Sequence, residues 1–261
     1  MAKKKTNGLS IAIIALNILI VGVIILLVVL VYLHMKEDTD NGRGSSTSTT
    51  TTEATPENTE DSSQTTDQSV TLPSTTYNKE FFANDLFIGD SISTGLYGYE
   101  FLDKRNVFAE VGLNPESAAT AKSDDMTCVE KTAAMQPRNI YIMLGTNGLA
   151  FLEDTYMATK MVELIAQLEN ACPTASIYVI TIPPVTAAHD AEGKETMTKI
   201  NSYNDLLRNI CSQGGYGCID LCPLLQDESG YLSSAYAEED GLHFLQFAYQ
   251  VMLSFVEKSA G

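Results

Sequence analysis

Asp85-Leu86-Phe87-Ile88-Gly89-Asp90-Ser91-Ile92 is the stretch on which the fold turns. A short apolar run stops at a glycine, an aspartate and a serine, the pattern of a buried strand entering a tight turn. Downstream, the same pattern recurs. Residues 106–111 predict a second strand ending at Gly112, and residues 139–144 a third ending at Gly145-Thr146-Asn147-Gly148. Residues 176–182 predict a fourth, closed by Pro183-Pro184, and residues 216–221 a fifth. Between them lie segments of helical spacing: 123–136 with Ser123 as its cap, 153–171, 195–212 before Gly214-Gly215, and a terminal helix over 243–257. Strands alternating with helices imply a parallel sheet covered on both faces. The expected fold is α/β, a three-layer α/β/α sandwich on a five-stranded, flavodoxin-like parallel sheet. Ligands in such sheets bind beyond the carboxyl ends of the strands. The glycine-rich and polar motifs after strands one, two and three all fall at that edge.

Upstream of this domain, assigned to residues 77–261, the composition changes twice. Residues 9–33 are almost entirely apolar, interrupted mainly by Ser10, Asn17 and Gly22. At about 1.5 Å per residue such a helix exceeds the roughly 30 Å hydrocarbon core of a bilayer. A cleaved secretory signal is the competing reading, but Val31-Tyr32-Leu33-His34-Met35-Lys36 is a poor cleavage site. The expectation is therefore a transmembrane signal anchor. Lys3, Lys4 and Lys5 precede it, which puts the tail 1–8 in the cytoplasm and the remainder outside the membrane. Residues 34–76 are rich in Thr and Ser and poor in large apolar side chains, so a disordered tether is expected. A flexible coil of about 40 residues spans roughly 35 Å.

The net charge of −17 argues against nucleic acid as a partner. Cys128, Cys172, Cys211, Cys218 and Cys222 are odd in number, so at least one is unpaired or bonded to another molecule. On one predicted strand Cys218 and Cys222 lie about 13 Å apart, too far for a mutual disulfide. A bridge from Cys211 across Gly214-Gly215 and a set of buried apolar thiols both remain open. No spacing matches a zinc site.

A serine hydroxyl becomes a useful nucleophile only when a base takes its proton, and that base needs a third group to orient it. Ser91 follows the first strand at the functional edge. The sequence has three histidines. His34 lies at the membrane boundary and His189 in a polar loop, which leaves His243, three residues after Asp240. Across a turn entering a helix, that gap lets a carboxylate reach the near imidazole nitrogen and frees the far one for Ser91.

Gly89-Asp90-Ser91-Ile92, Gly112, Gly145-Thr146-Asn147 and Asp240-Gly241-Leu242-His243 resemble the four blocks of the SGNH (GDSL-type) hydrolases in order and spacing, over nearly all of residues 86–256. The resemblance implies that Ser91 is the nucleophile, His243 the general base and Asp240 the group orienting it. It implies an oxyanion hole made of the Ser91 and Gly112 backbone N–H groups and the Asn147 amide. Three such donors could converge on a developing tetrahedral oxyanion. The sequence departs from the family in three places. Ile92 replaces the usual leucine, Gly148 stands where many members carry aspartate, and Leu113-Asn114-Pro115 follows Gly112.

No metal or other cofactor is expected, since His189, Asp190 and Glu192 read as solvated loop residues rather than ligands. The expected function is an extracytoplasmic serine esterase removing a short acyl group, acetyl above all, from a cell-envelope carbohydrate. The acyl preference and carbohydrate substrate rest on resemblance to surface-anchored carbohydrate esterases. The partners are then the acylated carbohydrate, or another ester, and the membrane. A lysophospholipase- or lipase-like esterase and an acyltransferase would use the same triad. A non-catalytic glycan-binding module would not require all three triad residues.

Overall fold

The computed structural model of the protein describes residues 73–261. The expected cytoplasmic tail, membrane span and most of the tether lie outside the described residues. Within them, no helix is long and apolar enough to cross a membrane.

Five strands build one sheet: β1 (Leu86–Gly89), β2 (Val107–Ala109), β3 (Asn139–Met143), β4 (Ser176–Ile180) and β5 (Gly217–Ile219). All pairings are parallel, in the order β2-β1-β3-β4-β5. This is the flavodoxin-like order, whose switch point lies between β1 and β3. The registers Gly89↔Ala109 and Gly89↔Met143 bring the ends of the first three strands level, so the loops after them share one rim.

Both faces of the sheet are buried. Leu86, Ile88, Ile140 and Ile142 face a core shared with α2 (Cys128–Met135), α3 (Asp154–Ala171) and α4 (Met197–Gly214). Phe87, Tyr141 and Ile219 face the opposite core, with α1 (Ser91–Gly98) and α5 (Gln246–Ala260). The apolar runs of β1 and β3 were readable as continuous because each residue in turn is covered from one side or the other.

Several boundaries differ from the sequence expectation. Ser91–Gly98 forms a helix where only a turn was expected, with Asp90 as its N-cap. Its composition of serine, threonine and glycine has weak helix propensity, and packing of Ile92 and Leu96 into the core compensates. Ser123 does not cap α2. Lys122–Ser123 and Met126–Thr127 pair as a small antiparallel hairpin. Asp124 and Asp125 both have positive φ, as a tight two-residue hairpin turn requires. Thr127 takes the capping role in a reciprocal box with Glu130. Helix α4 starts at Met197, because Thr196 caps it and the Asp190 carboxylate accepts a hydrogen bond from the Met197 N–H at 2.6 Å. Helix α5 starts at Gln246, leaving His243 in the preceding loop. Cys222 does not lie on the fifth strand but opens a helical turn, Cys222–Leu225, beyond it. All five cysteines are free thiols, four buried and Cys218 exposed.

Candidate active site

Asp90 ends the first strand by capping the helix that follows, its Oδ1 accepting from the Ile92 N–H at 3.1 Å. Ser91 is thereby the first residue of α1, and an N–H at that position has no partner within the helix. The Ser91 hydroxyl, just past the carboxyl end of β1, lies 2.9 Å from Nε2 of His243. On the other side of the ring, Nδ1 of His243 lies 2.6 Å from Oδ2 of Asp240. Oδ1 of Asp240 accepts from the backbone N–H groups of Leu242 and His243, each at 3.0 Å. The structure thus brings Ser91, His243 and Asp240 into one continuous hydrogen-bonded line.

The Asp240-to-His243 turn depends on Gly241, whose φ of +72° is a conformation that favours glycine. A side chain there would also run into the Thr186 hydroxyl and Cβ of His189. Partial burial opposes ionisation of Asp240. The hydrogen bonds from the His243 ring and the two N–H groups outweigh it and bring its carboxyl down to about 2. Asp240 therefore carries full negative charge at neutral pH, beside the ring it would orient.

Gly112 and Asn147 stand on the loops after β2 and β3. Gly112 adopts φ +81° with open space around its Cα, so nothing blocks approach to its backbone from that side. Asn147 lies in a helical turn, Thr146–Gly148. Its Nδ2 donates to the Leu113 carbonyl at 3.2 Å, which ties the two loops together. An amide has two N–H donors, so this bond leaves the second free for a ligand. The departures at Gly148 and after Gly112 have local accounts. A side chain at residue 148 would meet the Met157 thioether, buried under the loop. Asn114 Oδ1 accepts from the N–H groups of Glu116 and Ser117, which shapes the turn after Leu113.

Two polar residues beside the line, Asp90 and His189, are buried. Asp90 is fully buried, and Oδ2 makes no well-formed hydrogen bond; the Thr146 hydroxyl beside it is equally unpartnered. Burial pushes the Asp90 carboxyl up to about 6, against weaker opposing pulls from Ile92 N–H, Thr146 and His243. His189 is not a solvated loop residue. It is 8% exposed, with Nδ1 2.9 Å from the Asp240 carbonyl oxygen and Nε2 3.1 Å from a Glu195 carboxylate oxygen. The loop's polarity concealed this, since the bonds reach across 51 residues to Asp240. Among the described residues no group of histidine, cysteine and acidic side chains could hold a metal ion.

The geometry is that of acyl transfer: a hydroxyl, a base in reach of it, an anion behind the base, and N–H donors alongside. Solved structures of similar fold include a Streptococcus pneumonia protein named for platelet activating factor. It is 20% identical, covers 74% of this chain and 86% of its own, and has a TM-score of 0.56. A GDSL-like lipase from Bacteroides thetaiotaomicron is 17% identical over 69% of this chain and 88% of its own, with a TM-score of 0.54. The lipase/acylhydrolase from Enterococcus faecalis is 14% identical over 67% and 94%, with a TM-score of 0.50. At these identities the similarity establishes the fold alone. No curated protein matches the chain. The family model does: residues 87–251, well over half the sequence, match the GDSL-like lipase/acylhydrolase family. The chain belongs to that family and is an ester hydrolase.

Proposed function

We propose that this protein is a membrane-tethered serine esterase that removes short acyl groups, acetyl above all, from a cell-envelope carbohydrate outside the cell. The observation that carries the mechanism is the line from Asp240 Oδ2 through His243 to the Ser91 hydroxyl, with contacts of 2.6 and 2.9 Å. Ser91 Oγ attacks the ester carbonyl carbon while His243 Nε2 takes its proton. The carbonyl oxygen becomes an oxyanion, held by the N–H groups of Ser91 and Gly112 and the free N–H of Asn147. Collapse of this intermediate expels the sugar alkoxide, which leaves as the alcohol with the proton from His243. A water molecule then attacks the acyl-Ser91 ester, again giving its proton to His243, and the acid departs as Ser91 is restored.

Support for a polymer substrate comes from the openness of the site. The side chains of His243 and Asp240 are 38% and 51% exposed, so an ester displayed on a large molecule can reach them. Val111, 81% exposed beside Gly112, offers a small apolar contact for a short acyl group. After the Asn147 turn, Phe151, Asp154, Lys199 and Ser202 line a cavity of about 400 Å³. An aromatic face among polar groups suits a sugar. The apolar run 9–33 and the tether 34–76 supply the anchor and the reach.

Two measurements test this reading. A fluorophosphonate probe should label wild-type protein at Ser91 and leave Ser91→Ala unlabelled. Aryl esters graded by acyl length should be cleaved best at acetyl, and purified wall polymer should release acetate. Preference for long acyl chains, with no acetate released, would favour a lipase-like enzyme instead.

A further inference from the structure

Half-exposed catalytic side chains cannot be positioned by burial, so something else must hold the Asp240 carboxylate in line. The turn that carries it is gripped from beneath by residues 186–195. The Thr186 N–H donates to the Gly241 carbonyl at 2.9 Å, and His189 Nδ1 meets the Asp240 carbonyl at 2.9 Å. Glu195 holds the far nitrogen of His189 at 3.1 Å. Both groups of this pair are sheltered, with side-chain exposures of 9% and 15%.

We propose that His189, braced by Glu195, is a positioning residue of the active site: it pins the Asp240 carbonyl so that the Asp240 carboxylate stays aimed at His243. This inference rests on the hydrolytic reading of the Ser91 site. Its chemistry follows from the partners. A backbone carbonyl only accepts hydrogen bonds, so Nδ1 of His189 donates to the Asp240 carbonyl, while Nε2 rests against the Glu195 carboxyl group. Glu195 immediately precedes Thr196, the cap of α4, so the brace starts from the end of an 18-residue helix packed on the sheet. The path runs from α4 through Glu195 and His189 to Asp240, and from there to His243 and Ser91.

His189→Ala removes the donor to Asp240, while His189→Asn keeps an N–H close to the position of Nδ1. Glu195→Gln keeps an acceptor but removes the charge. A catalytic group displaced by about 1 Å can lose 10²-fold in rate. His189→Ala should therefore lower kcat roughly 10- to 100-fold with KM almost unmoved. His189→Asn should recover most of the rate, and Glu195→Gln should lie between His189→Ala and wild type. Rates are normalised to active sites titrated with the fluorophosphonate, so any loss of folded enzyme is removed.

A substrate-free readout separates this proposal from the hydrolytic reading. The downfield Nδ1–H proton resonance of His243, bonded to Asp240, should be present in wild type and Ser91→Ala and broadened or lost in His189→Ala. Persistence of that resonance in His189→Ala overturns the proposal, whether or not the protein turns over esters. So does a His189→Asn variant no better than His189→Ala. A wild-type protein that neither labels nor hydrolyses, yet loses the resonance in His189→Ala, overturns the hydrolytic reading alone.

Discussion

Asp90 is a buried carboxyl group beside the site, and the substitution Asp90→Asn should stabilise the protein in a pH-dependent way. Its carboxyl has an ordinary value of 3.8 and is raised to about 6 by complete burial. The sign follows from proton linkage. Between pH 4 and 6 the folded state binds the proton more tightly than the unfolded chain, so wild-type stability falls as pH rises through this window. At ~1.36 kcal/mol per unit, a rise of about two units costs the ionised folded state about 3 kcal/mol above pH 6. The substituted asparagine carries no charge to desolvate, and its side-chain oxygen can still accept from the Ile92 N–H, because asparagine caps helices as well as aspartate does. Its amide can donate to the unpartnered Thr146 hydroxyl. The expected gain at pH 7 is about 2–3 kcal/mol, or a Tm rise of roughly 5–10 °C for a domain of this size. Thermal and urea melts of both proteins from pH 4 to pH 8 measure it. The stability difference should be small at pH 4, open between pH 4 and 6, and level off above. A difference that does not change with pH would refute the reasoning, since the carboxylate would then not be the source of the cost. Activity should move the other way. The buried negative charge favours the His243 imidazolium formed during catalysis, so the more stable variant should be the slower one.

Asn147→Ala should lower kcat by roughly 10²–10³-fold, about 2.7–4 kcal/mol of transition-state stabilisation, with KM little changed. Because Asn147 also bonds the Leu113 carbonyl, a melting curve run beside the kinetics separates loss of the donor from loosening of the loop. His243→Ala should abolish nearly all turnover with Tm close to wild type, while Asp240→Asn should retain more, provided that His189 still holds the backbone of that turn. Equal loss in both variants would show that the ring needs the Asp240 charge itself. Full-length protein should stay with membranes through a carbonate wash and expose its folded domain to external protease. A mature form beginning near Met35 would instead establish cleavage. A protein starting at Tyr77 should keep its activity, as the triad and the oxyanion donors lie downstream of that residue.

The sequence by itself determined the fold class and the triad candidates. The runs of β1 and β3 are largely apolar because a parallel sheet is covered on both faces, and four of the five predicted runs stop at glycine or proline. Ser91 and the Asp240–His243 pair were legible because they are close in sequence to strong local signals and because histidine is scarce. Only the tertiary structure decided the rest. The helix at Ser91 exists through the burial of Ile92 and Leu96, against its own weak propensity. The start of α2 moved to Thr127 because two aspartates took up a hairpin turn. His189 looked solvated because its neighbours are polar, yet its partners are Glu195, six residues on, and Asp240, 51 residues on. Asn147 holds Leu113 across 34 residues. Local pattern carries periodicity and turn chemistry, whereas burial of a polar group depends on which distant acceptor the folded chain brings to it.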